Sequence, residues 1–403
     1  LYSKLNSDNV ASVDLSGSNI VLSKQVTEES TDSLGSMTIP ISSVGITSAF
    51  FETFDSERYS VFYQDGVVED LTADQFTLSG DGTSVTIKGL SKSQSNNVTV
   101  GVTVKKNGIK NKKKEFTRSS KLTVNKTVSG ISTNLTGLTV NNFYGLRVED
   151  KEISLNECDV VDVVAVYESY NSSAPSLDNL VFPSGLGLDT NSILGERVVG
   201  RDSKAIAQIV TRLSTTSIEF VYLNSNKFIS GEIVDFEESS ITSTIQSINE
   251  GNYQNITSKF SLDKGQKEQY YDYSRLVRKN DGYIPTYQLC VIYNHYTVPT
   301  DDTGNVFTSN SYDQERYTND VPYLPSGVRA SDTLDFRPRL SKFTSTTASP
   351  FAYSSRTSNI DGGNNVTITP SESSLVGYDF YLPRIDKVVL DKSGAFSVIK
   401  GVS

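Results

Sequence analysis

The sequence predicts a mainly all-β, multidomain protein with at most one or two short helices. Apolar and polar residues alternate over many short stretches, which is the period of a β-strand with one buried face. Glycine, Asn-Gly or Asp-Gly follows several of these stretches, as tight turns require. The 403 residues are enough for several domains of about 100–200 residues each.

The first half of the chain predicts an extended segment over residues 1–45 and an immunoglobulin-like sandwich over 46–129. Its clearest strand is 97–105, where every even position from 98 to 104 is valine. Lys106-Asn107-Gly108 predicts a hairpin turn, with 109–116 as the returning strand. Four lysines in that arm favour an edge strand protected from strand addition over an anion site. Further strands are predicted at 58–63, 83–88 and 121–124.

The second half predicts three more segments. Residues 130–190 hold a buried strand at 160–167 and a long polar loop, and 191–250 form a small β-barrel with glycines at its corners. Residues 251–403 form a further mixed β module. Within it, 265–279 is predicted as a helix because Tyr270, Tyr273, Leu276 and Val277 recur at helical spacing. A hairpin around Asp391-Lys392-Ser393-Gly394 joins strands at 385–390 and 395–399.

Composition excludes several classes of function. The chain has 37 basic and 47 acidic residues, a net charge of −10, which argues against a nucleic-acid partner. No apolar run reaches the ~18 residues of a membrane helix, so no membrane span is predicted. One histidine and two cysteines cannot supply a structural zinc site, so we predict no metal and no cofactor. Cys158 and Cys290 are expected to be reduced, buried thiols.

No catalytic residue is predicted, and the chain is not expected to be an enzyme. His295 lies at the end of a strand, and no Gly-x-Ser-x-Gly turn is present. The candidates for a pair of hydrolytic carboxylates are Asp235, Glu237 and Glu238, or alternatively Asp301 and Asp302. They keep a polysaccharide- or cell-wall-degrading enzyme open as an alternative. Asp301-Asp302-Thr303-Gly304-Asn305 is interpreted as a solvated turn, because it lacks the spacing of an EF-hand.

Seven short strings of residues are more informative than the composition. They are Phe51-Glu52-Thr53-Phe54-Asp55-Ser56-Glu57-Arg58-Tyr59, Val148-Glu149-Asp150-Lys151-Glu152-Ile153-Ser154-Leu155, Gly265-Gln266, Tyr271-Asp272-Tyr273, Leu276-Val277-Arg278-Lys279, Asp335-Phe336-Arg337-Pro338-Arg339 and Tyr381-Leu382-Pro383-Arg384-Ile385-Asp386. Together these strings resemble the large virion structural proteins of T4-like contractile-tailed phages, especially those of cyanobacteria. The resemblance runs from about residue 40 to the end of the chain and is most specific over 258–403.

This resemblance implies a structural component of a virion tail, in the baseplate or at the attachment of the tail fibres, assembled in the host cytoplasm. Its partners would be other tail and baseplate proteins in a multimeric particle. Members of the family are usually longer, and the chain lacks an initiator methionine, so we expect a piece of a longer protein. The family has no established catalytic residues to carry over. The alternative within a virion is a receptor-binding adhesin whose loops, for example 299–319, touch the host surface.

Large amphipathic and cationic side chains are the candidate interface, since such residues are enriched where proteins meet. The competing interpretation is that the tyrosines are local core. Asp335-Phe336-Arg337-Pro338-Arg339 could also set a forked arginine–carboxylate pair beside a buried phenylalanine, which would either brace the domain or join a neighbouring protein. The candidate interface residues are Tyr270, Tyr271, Tyr273, Arg275, Arg278, Phe336, Arg337 and Arg339.

Overall fold

β-Strands form most of the regular structure of the chain, which is known from a computed structural model. The structure describes residues 2–4, 9–13, 16–126, 143–279, 283–313, 315–345, 347–356, 358–359, 367–382 and 384–402. The helical segments described are α1 (Ile41–Val44), α2 (Leu188–Asn191) and α3 (Tyr317–Asp320), with 3-10 turns at Ala73–Gln75, Thr257–Lys259, Ser309–Ser311, Ala330–Asp332 and Tyr353–Ser355. The predicted all-β, multidomain class is confirmed.

The chain divides into two compact units, each assembled from separate stretches of sequence. The first unit comprises Leu1–Lys113, Val298–Pro338 and Ile360–Ser403, and the second comprises Lys114–Thr297 and Arg339–Asn359. This division differs from the five consecutive segments predicted, because the chain leaves the first unit after residue 113 and re-enters it at 298. Parts of the predicted segments 1–45 and 130–190 lie outside the described residues.

The strands are numbered along the chain. The first stretch of the first unit contains β1 (Tyr2–Lys4), β2 (Asn9–Val13), β3 (Asn19–Glu29), β4 (Met37–Pro40), β5 (Ala49–Phe51), β6 (Ser60–Phe62), β7 (Val68–Asp70), β8 (Phe76–Leu78), β9 (Ser84–Ile87) and β10 (Val98–Asn107). The long stretch of the second unit contains β11 (Glu115–Val124), β12 (Glu152–Cys158), β13 (Val160–Ser169), β14 (Asn179–Val181), β15 (Arg197–Gly200), β16 (Ile206–Ser214), β17 (Ser217–Tyr222), β18 (Ile233–Phe236), β19 (Thr242–Thr244), β20 (Ser247–Asn249), β21 (Tyr253–Asn255), β22 (Phe260–Asp263), β23 (Tyr273–Arg278) and β24 (Leu289–Thr297). The remaining strands are β25 (Thr333–Asp335), β26 (Arg339–Leu340), β27 (Ser358–Asn359), β28 (Thr367–Ile368), β29 (Tyr378–Tyr381), β30 (Lys387–Leu390) and β31 (Phe396–Ile399).

Two sheets enclose the core of the first unit. One has the order β28-β3-β10-β6-β7, with β5 also paired to β10, and the other has the order β4-β9-β8. Their buried side chains form one hydrophobic cluster, so the sheets face each other as in a sandwich. The four valines of β10 are at most 1% exposed, which confirms the predicted alternation. The predicted extended segment 1–45 contributes β3, the neighbour of β10 over nine register pairs.

The predicted hairpin after β10 is wrong. Gly108 does adopt a positive φ of 71°, but the backbone N–H groups of Asn107 and Gly108 donate to Ser48 and Ser18 instead of closing a hairpin. The next strand, β11, pairs with β24 of the second unit. The predicted lysine-bearing edge strand is also wrong, since the residues from 108 to 114 form no strand and Lys114 is buried.

Besides the two-stranded sheet β26-β27, the described residues of the second unit form three larger sheets. Their orders are β11-β24-β13-β21, β12-β23-β22 and β19-β18-β15-β16-β17-β14-β20. In the seven-stranded sheet the two edge strands, β19 and β20, are separated by only two residues, so the sheet curves back until one continuous segment supplies both edges. Its enclosed side is packed with apolar residues, including Phe182, Phe220 and Phe236. This sheet corresponds to the small barrel expected over 191–250, and it begins earlier, at β14.

The predicted helix 265–279 is wrong, because its second half is strand β23. That strand pairs with β12 on one side and β22 on the other, which satisfies its backbone groups along both edges. Tyr273 and Leu276 lie on opposite faces of this strand, because they are three residues apart, and both are buried. Burial on both faces of a strand thus produced the apolar spacing that suggested a helix. None of the helices described is both long and apolar enough to cross a membrane.

Candidate functional site

The eight predicted interface residues are divided between the two units, and six of them are buried. Tyr271, Tyr273, Arg278 and Arg339 are at most 7% exposed in the second unit, and Phe336 and Arg337 are at most 8% exposed in the first. Tyr270 and Arg275 are partly exposed. A side chain enclosed by its own chain cannot contact a partner unless the unit opens. The placement therefore favours the competing interpretation, in which these residues are core and bracing groups.

Arg275 illustrates this bracing role. Its guanidinium lies 2.6 Å from the buried carboxylate of Asp272 and 2.8 Å from that of Glu152. The same group stacks over the ring of Phe351, 4.2 Å from the centroid. Burial lowers the pKa of Arg275, but the hydrogen bonds and charges of Glu152 and Asp272 raise it further, so the net shift is upward. Arg275 therefore joins several segments of the second unit as a permanent cation.

Two more predicted residues complete a buried polar group in the second unit. The Lys114 ammonium pairs with the Asp159 carboxylate and lies 4.7 Å from the ring centroid of Tyr271. Arg339 donates from Nη2 to the backbone carbonyl of Tyr296 at 3.0 Å. The first contact joins the residue before β11 to the turn between β12 and β13, and the second joins β26 to β24. Both use charged hydrogen bonds, which are stronger than neutral ones.

The forked pair predicted in Asp335-Phe336-Arg337 is confirmed. Arg337 donates from Nε to Asp335 Oδ1 at 2.9 Å and from Nη2 to Oδ2 at 2.7 Å. Both side chains are at most 1% exposed, and Phe336 is buried beside them. The pair therefore braces the interior of the first unit.

The exposed apolar surface lies instead on the C-terminal hairpin, β30–β31. The register pairs Val388 with Val398 and Leu390 with Phe396, so these four side chains share one face. They are 58–75% exposed. We call these four residues the hairpin face. In the part of the chain that the structure describes, β30 and β31 form a two-stranded sheet of their own.

Polar contacts hold the backbone of this hairpin at both ends. At the turn, Asp391 Oδ1 accepts hydrogen bonds from the backbone N–H groups of Ser393 (2.8 Å) and Ala395 (2.9 Å), and Gly394 supplies the positive φ of 86°. At the open end, Arg384 forms a forked pair with Asp386, at 2.8 and 3.0 Å. The hydrogen bond of Arg384 lowers the pKa of Asp386. Local chemistry thus fixes the hairpin while its apolar face remains in water.

The four exposed side chains of the hairpin face would stabilise a complex in which a partner covers them. Full burial of a Val, Leu or Phe side chain contributes about 1.5–3 kcal/mol, so covering the hairpin face would contribute about 4–8 kcal/mol before association costs. An isolated two-stranded hairpin is marginally stable in water. Both considerations favour a third element that covers this face. Sequence reasoning predicted the hairpin itself, but alternation cannot indicate whether an apolar face is covered.

The candidate catalytic groups are held in structural contacts. His295 is buried in β24, and its Nδ1 lies 3.3 Å from Ser120 Oγ. Burial lowers the pKa of His295, which keeps the imidazole neutral near pH 7. The Nε2 atom is 3.9 Å from the Glu157 carboxylate, too far for a hydrogen bond.

The predicted hydrolytic carboxylates are mostly paired with arginines on the surface of the curved sheet. Asp235 forms a forked pair with Arg201, both bonds at 2.8 Å, and Glu238 pairs with Arg118. The hydrogen bond from Arg201 lowers the pKa of Asp235 to about 2, and Arg118 lowers that of Glu238. Glu237 is exposed. A carboxylate with a lowered pKa cannot serve as a general acid near neutral pH.

Metal and thiol chemistry give no alternative site among the described residues. No group of three or more His, Cys, Asp or Glu side chains there could hold a metal ion. In the acidic loop, Asp302 accepts hydrogen bonds from the backbone of Lys113 and Gly304. Cys158 and Cys290 are buried free thiols, as predicted. Burial raises their pKa values to about 12 and about 11, respectively.

The middle of the loop suggested to touch a host surface is internal, whereas residues 299–303 at one end and 313, 315, 316 and 319 at the other are exposed or partly exposed. From Asn305 to Ser309 every residue is at most 3% exposed, and Tyr312 is 4% exposed. The backbone of this stretch bonds to Lys110, Lys112 and Asp335 within the first unit. The packing therefore leaves mainly the two ends of this loop available for contact with a host surface, and the adhesin alternative stays a prediction.

Comparison with known proteins gives no match to a protein-family model, to a curated protein or to a solved structure.

Proposed function

We propose that this chain is a structural component of a phage virion tail, in the baseplate or at the attachment of the tail fibres. It acts by protein–protein assembly, and its hairpin face binds another protein of the same particle. The observation that carries the proposal is the exposed apolar face of β30–β31 on a hairpin whose backbone is already fixed. The resemblance of the strings over 258–403 supplies the kind of particle.

The chemistry of the hairpin suits a permanent contact. Val388, Leu390, Phe396 and Val398 form a continuous apolar strip, and the opposite face carries Lys387 and Ser397 beside Val389 and Ile399. A partner that covers the strip would bury aliphatic and aromatic groups without desolvating a charge on that face. Such apolar cores are characteristic of permanent interfaces.

The test compares two neighbouring positions of one strand. Val398 and Ile399 are 58% and 57% exposed, but they lie on opposite faces. Particles are produced in cells in which the resident copy is replaced by wild type, Val398→Ser, Phe396→Ser or Ile399→Ser, and the copies per particle are measured by quantitative mass spectrometry. We expect Val398→Ser and Phe396→Ser to lower incorporation and Ile399→Ser to leave it near wild type. Loss of Phe396 alone removes about 1–2 kcal/mol of burial, or about 5–30-fold in the partner's Kd.

Three outcomes would refute the proposal. The wild-type chain could be absent from purified particles, or all three variants could be incorporated equally. Alternatively, Phe396→Ser could lower the melting temperature of the purified full-length protein, which would mean that its own chain covers the hairpin face.

A further inference from the structure

A cavity in the second unit has a lining of aromatic rings and opposite charges. Its volume is about 390 Å³, within the range of about 300–1,000 Å³ typical of small-molecule sites. It lies where β13, β17, β20 and β21 end or begin. Its lining includes Tyr170, Asp178, Tyr222, Lys227, Glu250 and Tyr253.

The inner part of the cavity is rigid before any ligand binds. Asp178 is buried and accepts hydrogen bonds from the backbone N–H of Gly251 at 2.7 Å and from the Tyr253 hydroxyl at 2.9 Å. The ring of Tyr253 stacks on Tyr167, with centroids 4.0 Å apart. Tyr253 is therefore fixed from its hydroxyl and from one ring face, so little side-chain entropy is lost when a ligand contacts it.

The outer part presents rings and charges to water. Tyr170 follows β13 at the rim and is 61% exposed. Tyr222 accepts a hydrogen bond on its hydroxyl from the Phe228 backbone, and the ammonium of Lys227 lies 3.9 Å from its ring centroid. Glu250 is exposed beside them. The rim therefore combines an exposed ring with one cation and one carboxylate.

These features select among ligand classes. An anionic ligand would meet two carboxylates against one ammonium, and a cationic ligand would find the Tyr222 ring already covered by Lys227. An apolar ligand would desolvate the exposed charges of Lys227 and Glu250, at a large cost. A neutral polyol can accept from Lys227, donate to Asp178 and Glu250, and place its C–H groups, which carry partial positive charge, on the exposed ring of Tyr170. We propose that this cavity binds a short neutral oligosaccharide.

A second cavity provides a contrast. It lies in the first unit, has a volume of about 410 Å³ and contains one tyrosine, Tyr63. There the ammonium of Lys92 pairs with Asp65 and lies 4.8 Å from the Tyr63 ring centroid, and the Tyr63 hydroxyl donates to Glu69. The ring and the charges of this cavity are thus used within the chain, so it is the poorer site for a sugar.

The inference is tested with the purified chain on a glycan array, followed by calorimetric titration of the sugars that bind. Maltotriose and N,N′,N″-triacetylchitotriose serve as neutral probes, and choline and inorganic phosphate serve as charged probes. We expect a neutral oligosaccharide to bind, and we expect Tyr170→Ala to raise its Kd about tenfold or more because the ring is lost. Tyr170→Phe, which keeps the ring, should bind within about threefold of wild type. Tyr353→Ala is the matched control, because Tyr353 is 94% exposed in the same unit and does not line the cavity.

Two binding results would overturn the inference. One is that no neutral glycan binds at millimolar concentration, and the other is that choline or phosphate binds more tightly than any sugar. If Tyr170→Ala and Tyr353→Ala weaken sugar binding equally, the sugar does not bind in this cavity, which would also overturn the inference. Because the hairpin face is in the first unit and is not needed for this assay, the sugar site can fail while the assembly role stands, and the reverse also holds.

Discussion

The buried fork between Asp335 and Arg337 provides a quantitative test of how the first unit is braced. Asp335→Asn preserves the size of the side chain but removes the carboxylate from a guanidinium that is 0% exposed. Removing one partner of a buried ion pair costs about 3–5 kcal/mol, because the remaining charge loses its compensation. For a unit of ~150–250 residues, each kcal/mol lowers Tm by about 2–4 °C, so we expect a fall of about 6–20 °C.

A second fork in the same unit is the matched control. Arg384 and Asp386 have the same two-residue spacing and similar N–O distances, but their side chains are 41% and 32% exposed. Water compensates the charges of an exposed pair when it is broken. Asp386→Asn should therefore leave Tm close to that of the wild type.

Scanning calorimetry can measure both variants, with circular dichroism to verify that each folds. The double variant Asp335→Leu, Arg337→Met replaces the pair with apolar groups, and we expect it to recover most of the loss from Asp335→Asn. If Asp335→Asn and Asp386→Asn lower Tm equally, burial is not the cause of the effect. If the double variant is less stable than the single one, the fork has a role beyond charge compensation.

Two further predictions concern the curved sheet of the second unit. Arg201 lowers the pKa of Asp235 in the folded protein from 3.8 to about 2. The pair therefore adds stability that is fully present above about pH 4 and is lost as the pH falls through 2. NMR titration of the Asp235 carboxyl should give a pKa of about 2, and Arg201→Ala should return this pKa toward 3.8. An unchanged value in Arg201→Ala would exclude the arginine as the cause. Gly195 and Gly231 both have positive φ, but a Cβ on Gly195 would lie 2.2 Å from Cβ of Arg118, whereas a Cβ on Gly231 would meet nothing within 4 Å. Gly195→Ala should therefore lower Tm more than Gly231→Ala, and equal effects would mean that the φ angle alone determines the cost.

Features set by neighbouring residues could be predicted from the sequence. The valines of β10 alternate along one strand, and their burial on one face follows from the period of two. The turn at Asp391 depends on a side chain that bonds to the backbone two and four residues ahead. The fork of Asp335 and Arg337 likewise spans two residues. In each case the interacting groups are so close in sequence that tertiary structure has little freedom to rearrange them.

Features that depend on distant partners could not be predicted in this way. Residues 273–278 satisfy a helical spacing, but β12 and β22 provide backbone partners on both sides and make the segment a strand. Gly108 adopts the positive φ that the local sequence favours, yet the backbone N–H groups of Asn107 and Gly108 donate to Ser48 and Ser18 instead of closing a hairpin. Strand pairing depends on the edges of strands that lie far apart in the chain. A local sequence pattern does not show which of these edges is available for pairing.

The candidate sites show the same boundary between sequence and tertiary structure. The sequence by itself determined an all-β chain, a C-terminal hairpin and the tyrosines and arginines available for contacts. Only the tertiary structure decided that Tyr271 and Arg339 lie inside, that Val398 and Phe396 lie outside, and that Tyr170 and Tyr253 meet at one cavity. The physical reason is that burial depends on which surfaces pack together, and packing depends on the whole chain rather than on the residue and its neighbours.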